Sequence, residues 1–208
     1  MSRVLCGVVS WLVLSSPAPV RADDIEDKAV ALVEKLGGKI TRDDQQPGKP
    51  VVSVDLSRTS VSGADLRALA PLQQLRLLDL SRTKVSDVDL NELAPFQKLT
   101  ALDLSSTEVT GGGLGALLGL RNLTTLHLNY AKLTDPGVKE LAALENLTTL
   151  YLGGTQVTDE GVKHLAALKN LTTLNLWVTE VTDAGAKELQ KALPKCKIVS
   201  LPRSRIVK

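Results

Sequence analysis

Between residues 51 and 194 the apolar positions recur every 24 residues, six times, with no insertion. Position 1 of the unit reads Val51, Leu75, Leu99, Leu123, Leu147 and Leu171. Position 4 reads Val54, Leu78, Leu102, Leu126, Leu150 and Leu174, and position 6 reads Leu56, Leu80, Leu104, Leu128, Leu152 and Leu176. Alternation across positions 4 to 6 predicts a short strand. The second half of the unit, as in Thr158–Leu168, sets Val162, Leu165 and Leu168 at helical spacing. Thr158 or Asp159 is placed to cap that helix. Pro136, directly after Asp135, favours the aspartate as cap in the fourth unit. Gly137, Gly161 and Gly185 let the helix approach its neighbours closely. One unit of this size cannot bury its own apolar face, so the period predicts stacked coils around one shared core.

The pattern L-x-x-L-x-L-x-x-T-x-V-T-D-x-G-L-x-x-L, carried by residues 51–201, resembles the leucine-rich-repeat family. Its T-D-x-G-hydrophobic element is most similar to the short bacterial repeats akin to the cysteine-containing subclass. The resemblance implies an α/β solenoid, with parallel strands on the concave face and helices on the convex face. It also implies interaction with another molecule as the default role. The family carries Asn or Cys at position 9, tying adjacent loops together. Here that position holds Thr59, Thr83, Thr107, Ala131, Thr155 and Thr179. A threonine hydroxyl can donate to a neighbouring carbonyl and continue such a ladder, and Ala131 predicts a gap. Thr110-Gly111-Gly112-Gly113 opposes a helical turn. It predicts a loop or frayed helix, and the most mobile convex segment.

The ends depart from the period. Arg3, the apolar run Val4–Leu14 and the small residues before Ala22 read as a signal peptide over 1–22, cut after Ala22. The run is too short to span a bilayer comfortably, and no other segment is long and apolar enough. The expected location is secreted, periplasmic or cell-surface. Residues 23–50 form an N-terminal cap: an amphipathic helix over Asp23–Leu36, stopped by Gly37-Gly38, then a strand over Lys39–Arg42. Six repeats fill 51–194, and 195–208 form a C-terminal cap and basic tail. Pro194 breaks the phase, and Cys196, Val199 and Leu201 complete the last core layer, Cys196 as a small buried hydrophobe.

Charge and composition narrow the function. Losing Arg3 and Arg21 takes 25 basic residues to 23, against 23 acidic ones. A neutral body argues against nucleic acid as partner. Cys196 is then alone and cannot form an internal disulfide. Aromatics are 2% of the chain, and beyond the signal they are Phe96, Tyr130, Tyr151 and Trp177. Phe96 falls in a core column. The other three fall in columns on the concave face, beside His127, so His127, Tyr130, Tyr151 and Trp177 are the candidate contact residues. Gly153 and Gly154 between them leave a shallow depression.

Position 5 also carries Asp55, Asp79 and Asp103, near Arg58 and Arg82 at position 8. These read as a surface salt-bridge ladder, or as a patch for a cationic group or Ca²⁺, so Asp79, Asp103 and Arg82 join the candidate site. A Ser-His-Asp grouping of Ser105, His127 and Asp103 is conceivable, but no nucleophile elbow or oxyanion loop accompanies it. His164 lies on the outer helix, so no zinc pair forms. The Asn-Leu-Thr sequons at Asn122, Asn146 and Asn170 follow the repeat period, which accounts for them without glycosylation. The reading is a non-enzymatic, exported interaction module that binds a protein on its concave face and needs no cofactor. The alternative is carbohydrate or cell-wall binding, with Tyr151 and Trp177 as stacking platforms. A structural spacer and a hydrolase follow behind.

Overall fold

The computed structural model describes residues 22–201. The signal-peptide reading, apart from Ala22, and the tail 202–208 lie outside the described residues. Eight strands form one sheet in chain order: β1 (Lys39–Arg42), β2 (Val51–Asp55), β3 (Leu77–Asp79), β4 (Ala101–Asp103), β5 (Thr125–His127), β6 (Thr149–Tyr151), β7 (Thr173–Trp177) and β8 (Lys197–Leu201). β1 runs antiparallel to β2, and all later pairs are parallel. The register equals the sequence period. Leu78 lies opposite Val54 and Leu102, and Asp79 opposite Asp55 and Asp103. Each column of the repeat is therefore a straight row across the sheet.

The helical layer returns each chain segment along the other side. It consists of α1 (Ala22–Lys35), α2 (Gly63–Ala68), α3 (Asp135–Leu141), α4 (Asp159–Val162) and α5 (Asp183–Ala192), with 3₁₀ helices at Asp87–Leu93, Leu114–Gly119 and Lys163–Ala167. The 3₁₀ form is a departure from the regular helix expected. A coil this short leaves few residues to cover the return, and the longer rise of 3₁₀ geometry covers it with fewer of them. The N-cap of α3 is Thr134, with Asp135 and Pro136 already inside the helix. This corrects the expectation that Asp135 is the cap. Thr158 caps α4 by accepting the Glu160 N–H at 3.2 Å.

The rows at positions 1, 4 and 6 are almost wholly buried from Val51 to Leu176, and Phe96 is buried in the column it shares with Leu72, Leu120, Leu144 and Leu168. Burying one leucine side chain stabilises by about 2 kcal/mol, and the rows repeat this in every coil. The threonines of position 9 do not tie coils together as expected. Thr59, Thr83, Thr107, Thr155 and Thr179 each donate to the carbonyl three residues back, at 2.6–2.8 Å, within their own coil. A hydroxyl on so short a side chain meets its own turn first. Ala131 leaves that bond unmade in the fourth coil, where it is simply buried.

Other side chains link the coils. Asp135 accepts the Thr158 N–H at 2.8 Å and hydroxyl at 2.7 Å, and Asp159 does the same for Thr182 at 2.8 and 2.6 Å. In the fifth and sixth coils the glycine of the T-D-x-G element sits against the aspartate of the coil before: a Cβ on Gly161 or Gly185 would strike the carboxylate of Asp135 or Asp159, while one on Gly137 would strike Thr110 and Gly111. The aspartate and glycine of the motif thus serve neighbouring coils. Asn122, Asn146 and Asn170 donate their amides to carbonyls of the preceding coil, at 2.8–2.9 Å. The sequon threonines Thr124, Thr148 and Thr172 donate likewise, at 3.0–3.2 Å. The repeated Asn-Leu-Thr triplet therefore has a structural use independent of glycosylation.

The third coil does form a turn in place of a helix start. Asp87 grips it, accepting from the Thr110 N–H and hydroxyl and from the N–H groups of Gly111 and Gly113, at 2.5–3.2 Å. Gly111 has φ 111°, a conformation that side chains resist. At the C-terminal end the phase does not break at Pro194. Thr173 pairs with Lys197 and Leu174 with Ile198, so the 24-residue step continues into β8. Ile198 and Ser200 take the core-facing row, while Val199 is 41% exposed on the opposite side. Cys196 is buried. A serine in a core column hid this strand from the pattern.

Gly113→Ala sets a Cβ into the backbone of Asp87, 2.7 Å from its Cα; a loss of about 2 kcal/mol in urea unfolding is expected. Burial opposes ionisation of Asp87, but the Thr110 hydroxyl and the backbone donors outweigh it and lower its pKa. A lowered folded pKa means stability that is complete above the ordinary aspartate value of about 3.9 and is lost as pH falls through the folded value. Asp87→Asn should flatten the urea midpoint against pH below about pH 4, where the parent declines.

Candidate binding face

Position 5 turns its side chains away from the helices along the whole sheet. Across it the row reads Asp55, Asp79, Asp103, His127, Tyr151, Asn175 and Val199, in register. Where this residue is Asp or Asn, its Oδ1 accepts the N–H two residues on: Ser57 to Asp55, Ser81 to Asp79, Ser105 to Asp103 and Trp177 to Asn175, at 2.7–2.9 Å. The side chain closes the strand end as the chain turns away. Tyr151 cannot do so, and Asn129 of the preceding coil reaches across to the Gly153 N–H at 2.9 Å instead. One oxygen of each aspartate thus belongs to the fold.

Position 8 follows that turn, and all its residues are left-handed: Arg58, Arg82, Ser106, Tyr130, Gly154 and Val178 have φ between 56° and 73°. For the β-branched Val178 this is a strained conformation. The predicted site residues therefore fall into two groups. Asp79, Asp103, His127, Tyr151 and Trp177 lie on the sheet, while Arg82 and Tyr130 stand on the turn beyond it. Neither Arg58 nor Arg82 forms an ion pair with Asp55, Asp79 or Asp103 among the described residues. The expected salt-bridge ladder is absent because the turn directs the arginines off the strand row.

Three neighbours in the row do meet. His127 Nδ1 lies 3.3 Å from Asp103 Oδ2, and the ring of Tyr151 meets His127 edge-on at 4.5 Å between centroids. Burial raises the cost of charge on Asp103, yet His127 and Ser105 outweigh it and hold the carboxyl below its ordinary value. The pKa of Asp55 is also lowered, chiefly by Ser57. His127–Tyr151 is the one ring contact among the described residues, so the aromatics do not form a single cluster. Tyr130 lies over Gly154, where a Cβ would collide with its ring. That ring occupies the space where a shallow depression was expected. Tyr130 is 57% and Trp177 45% exposed.

A concavity of about 280 Å³ lies in the other half of the sheet, over β2 to β5. Asp55, Asp79, Asp103 and His127 line it, with Leu77 and Ala101 on its floor. Leu77 was missed by the sequence reading, although position 3 otherwise holds small residues, Ser53, Ala101 and Thr125. It is 48% exposed. The Ser105 hydroxyl is buried with no hydrogen-bond partner, so His127 shares no hydrogen bond with it along which a proton could move. Among the described residues, no three His, Cys, Asp or Glu side chains are grouped to hold a metal ion, and no helix is long and apolar enough to cross a membrane.

Asp79→Ala should cost about 1 kcal/mol of stability by releasing the Ser81 N–H, whereas Asp79→Asn keeps the acceptor and should stay within about 0.5 kcal/mol of the parent. Urea midpoints of the two variants check this.

Residues 51–205 match the family described as leucine-rich repeat region. Among solved structures, internalin C2 of Listeria monocytogenes is 24% identical with a TM-score of 0.56, covering 84% of each chain. A second internalin of that organism is 18% identical with a TM-score of 0.53, covering 91% of this chain and 59% of its own. A leucine-rich-repeat protein of Leptospira interrogans is 28% identical with a TM-score of 0.52 over 64% of this chain, which spans 33% of that protein. No curated protein matches the chain.

Proposed function

This chain belongs to the leucine-rich-repeat family, and from that premise we propose that it is an exported interaction module whose partner, a protein, docks on the concave face of the sheet. Members of the family are typically protein-interaction modules. The observation that carries the reading is the sheet face that no other described residues cover. Its rows are held in register by backbone bonds, and it presents Asp79, Asp103, His127, Tyr151 and Trp177 to solvent on rigid strands. Rigid aromatic side chains on such a surface lose little entropy when a partner covers them. Arg82 and Tyr130 extend the face at the turn. Export rests on the N-terminal segment read from sequence, and the repeats are of the short bacterial type.

A second reading, carbohydrate or cell-wall binding, draws on the exposed ring of Trp177. The two separate in one experiment. A photo-crosslinking residue is placed at position 151 or 177, and at convex position 164 as control, in extracellular or periplasmic extract. Protein adducts from 151 and 177 but not 164, lost in Tyr151→Ala/Trp177→Ala by affinity capture, are expected. Adducts from 164 alone would overturn the docking face, and capture competed by free sugar would favour the glycan.

A further inference from the structure

The concave face has two chemically different halves. Over β2 to β5 the titratable groups lining the concavity are three aspartates and His127, with no lysine or arginine. Its floor is apolar, Leu77 being 48% exposed beside Ala101. Lys39 on β1 bounds the outer side, opposite Asp55, and Arg58 and Arg82 stand on the turn outside the lining. Over β6 to β8 the position 5 row is uncharged: Tyr151, Asn175 and Val199. There Trp177 and Val199 are 45% and 41% exposed, with Leu201 opposite Trp177. A greasy stem with a cationic head fits the first half, the alkyl chain on Leu77 and the charge among the carboxylates. An apolar side chain fits the second half, against Trp177 and Val199.

Resting on the docking face proposed above, we infer that the occupant is a polypeptide segment crossing the strands, with lysine or arginine over β2–β4 and apolar residues over β6–β8. The centres of the two halves are four strand steps apart, about 19 Å. An extended segment covers that in about six residues. Charge fixes which end lies where, because an acidic residue over Asp55, Asp79 and Asp103 would be repelled.

The test uses three synthetic eight-residue peptides and fluorescence anisotropy. One carries two arginines, a four-residue neutral spacer and two leucines, which sets the pairs six residues apart. The second has glutamates for the arginines, and the third serines for the leucines. The arginine–leucine peptide should bind at least about tenfold tighter than either. Asp55→Asn/Asp79→Asn keeps both backbone acceptors and so stays folded. It should weaken binding about tenfold at low salt and much less at 0.5 M salt. Trp177→Ala should weaken it by a similar factor at both salt concentrations. Equal binding of the glutamate peptide, no binding of any peptide, or indifference to both variants would overturn the inference. So would binding that appears only after deletion of residues 202–208, since the chain's own Arg203, Arg205 and Ile206-Val207 would then be the occupant. If the peptides fail while crosslinks at 151 persist, the docking face stands and only its chemistry falls.

Discussion

No coil of this chain can bury its own leucines. A 24-residue loop presents its position 1, 4 and 6 side chains to an interior with nothing in it until another coil closes each side. Stacking is therefore what makes the coil a structure at all, and every other feature is adjusted to that one requirement. The rows of leucine and valine run without a break from Val51 to Leu176, and the register between strands is the period of the sequence because any slip would take a leucine out of the row.

Close stacking creates a second problem, which the polar residues of the repeat solve. Coils that touch along their whole length bring backbone N–H and C=O groups of their turns out of water, where each needs a partner. The Asp–Thr and Asn–carbonyl links between coils answer this on the helical side. The aspartates and Asn175 of position 5 answer it on the sheet side, within each strand end. Gly161 and Gly185 remove the atom that would hold the carboxylates of Asp135 and Asp159 away from the next coil. The third coil shows the same rule under a different sequence, with Asp87 gathering donors from Thr110, Gly111 and Gly113 in place of a helix start.

What remains after these demands is the outer face of the sheet. Its side chains have no role in burial, so they are free to differ between coils, and they do: acids in the early strands, His127 and Tyr151 in the middle, and mainly apolar groups at the end, with Lys197 in the position 3 row of β8. The backbone beneath does not vary. A fixed ladder carrying variable side chains is how a repeat fold separates stability from recognition. The same residue can serve both, as Asp79 does, with one oxygen on the Ser81 N–H.

The period, the strand and helix halves, the buried rows and the identity of the exposed rows followed from the sequence alone, because burial is read directly from which positions tolerate only aliphatic side chains. The destinations of polar side chains did not. Whether Thr155 bonds its own turn or the next coil, and whether Asp159 caps its helix or holds Thr182, depends on distances set only when coils are stacked. The left-handed turn at position 8 likewise required the three-dimensional path, since Arg82 and Val178 give no sign of it, and it decided that the arginines leave the aspartate row. The seventh parallel strand escaped for a related reason: Ser200 in a core column breaks the pattern, while backbone pairing, indifferent to side chains, carries β8 onto the sheet.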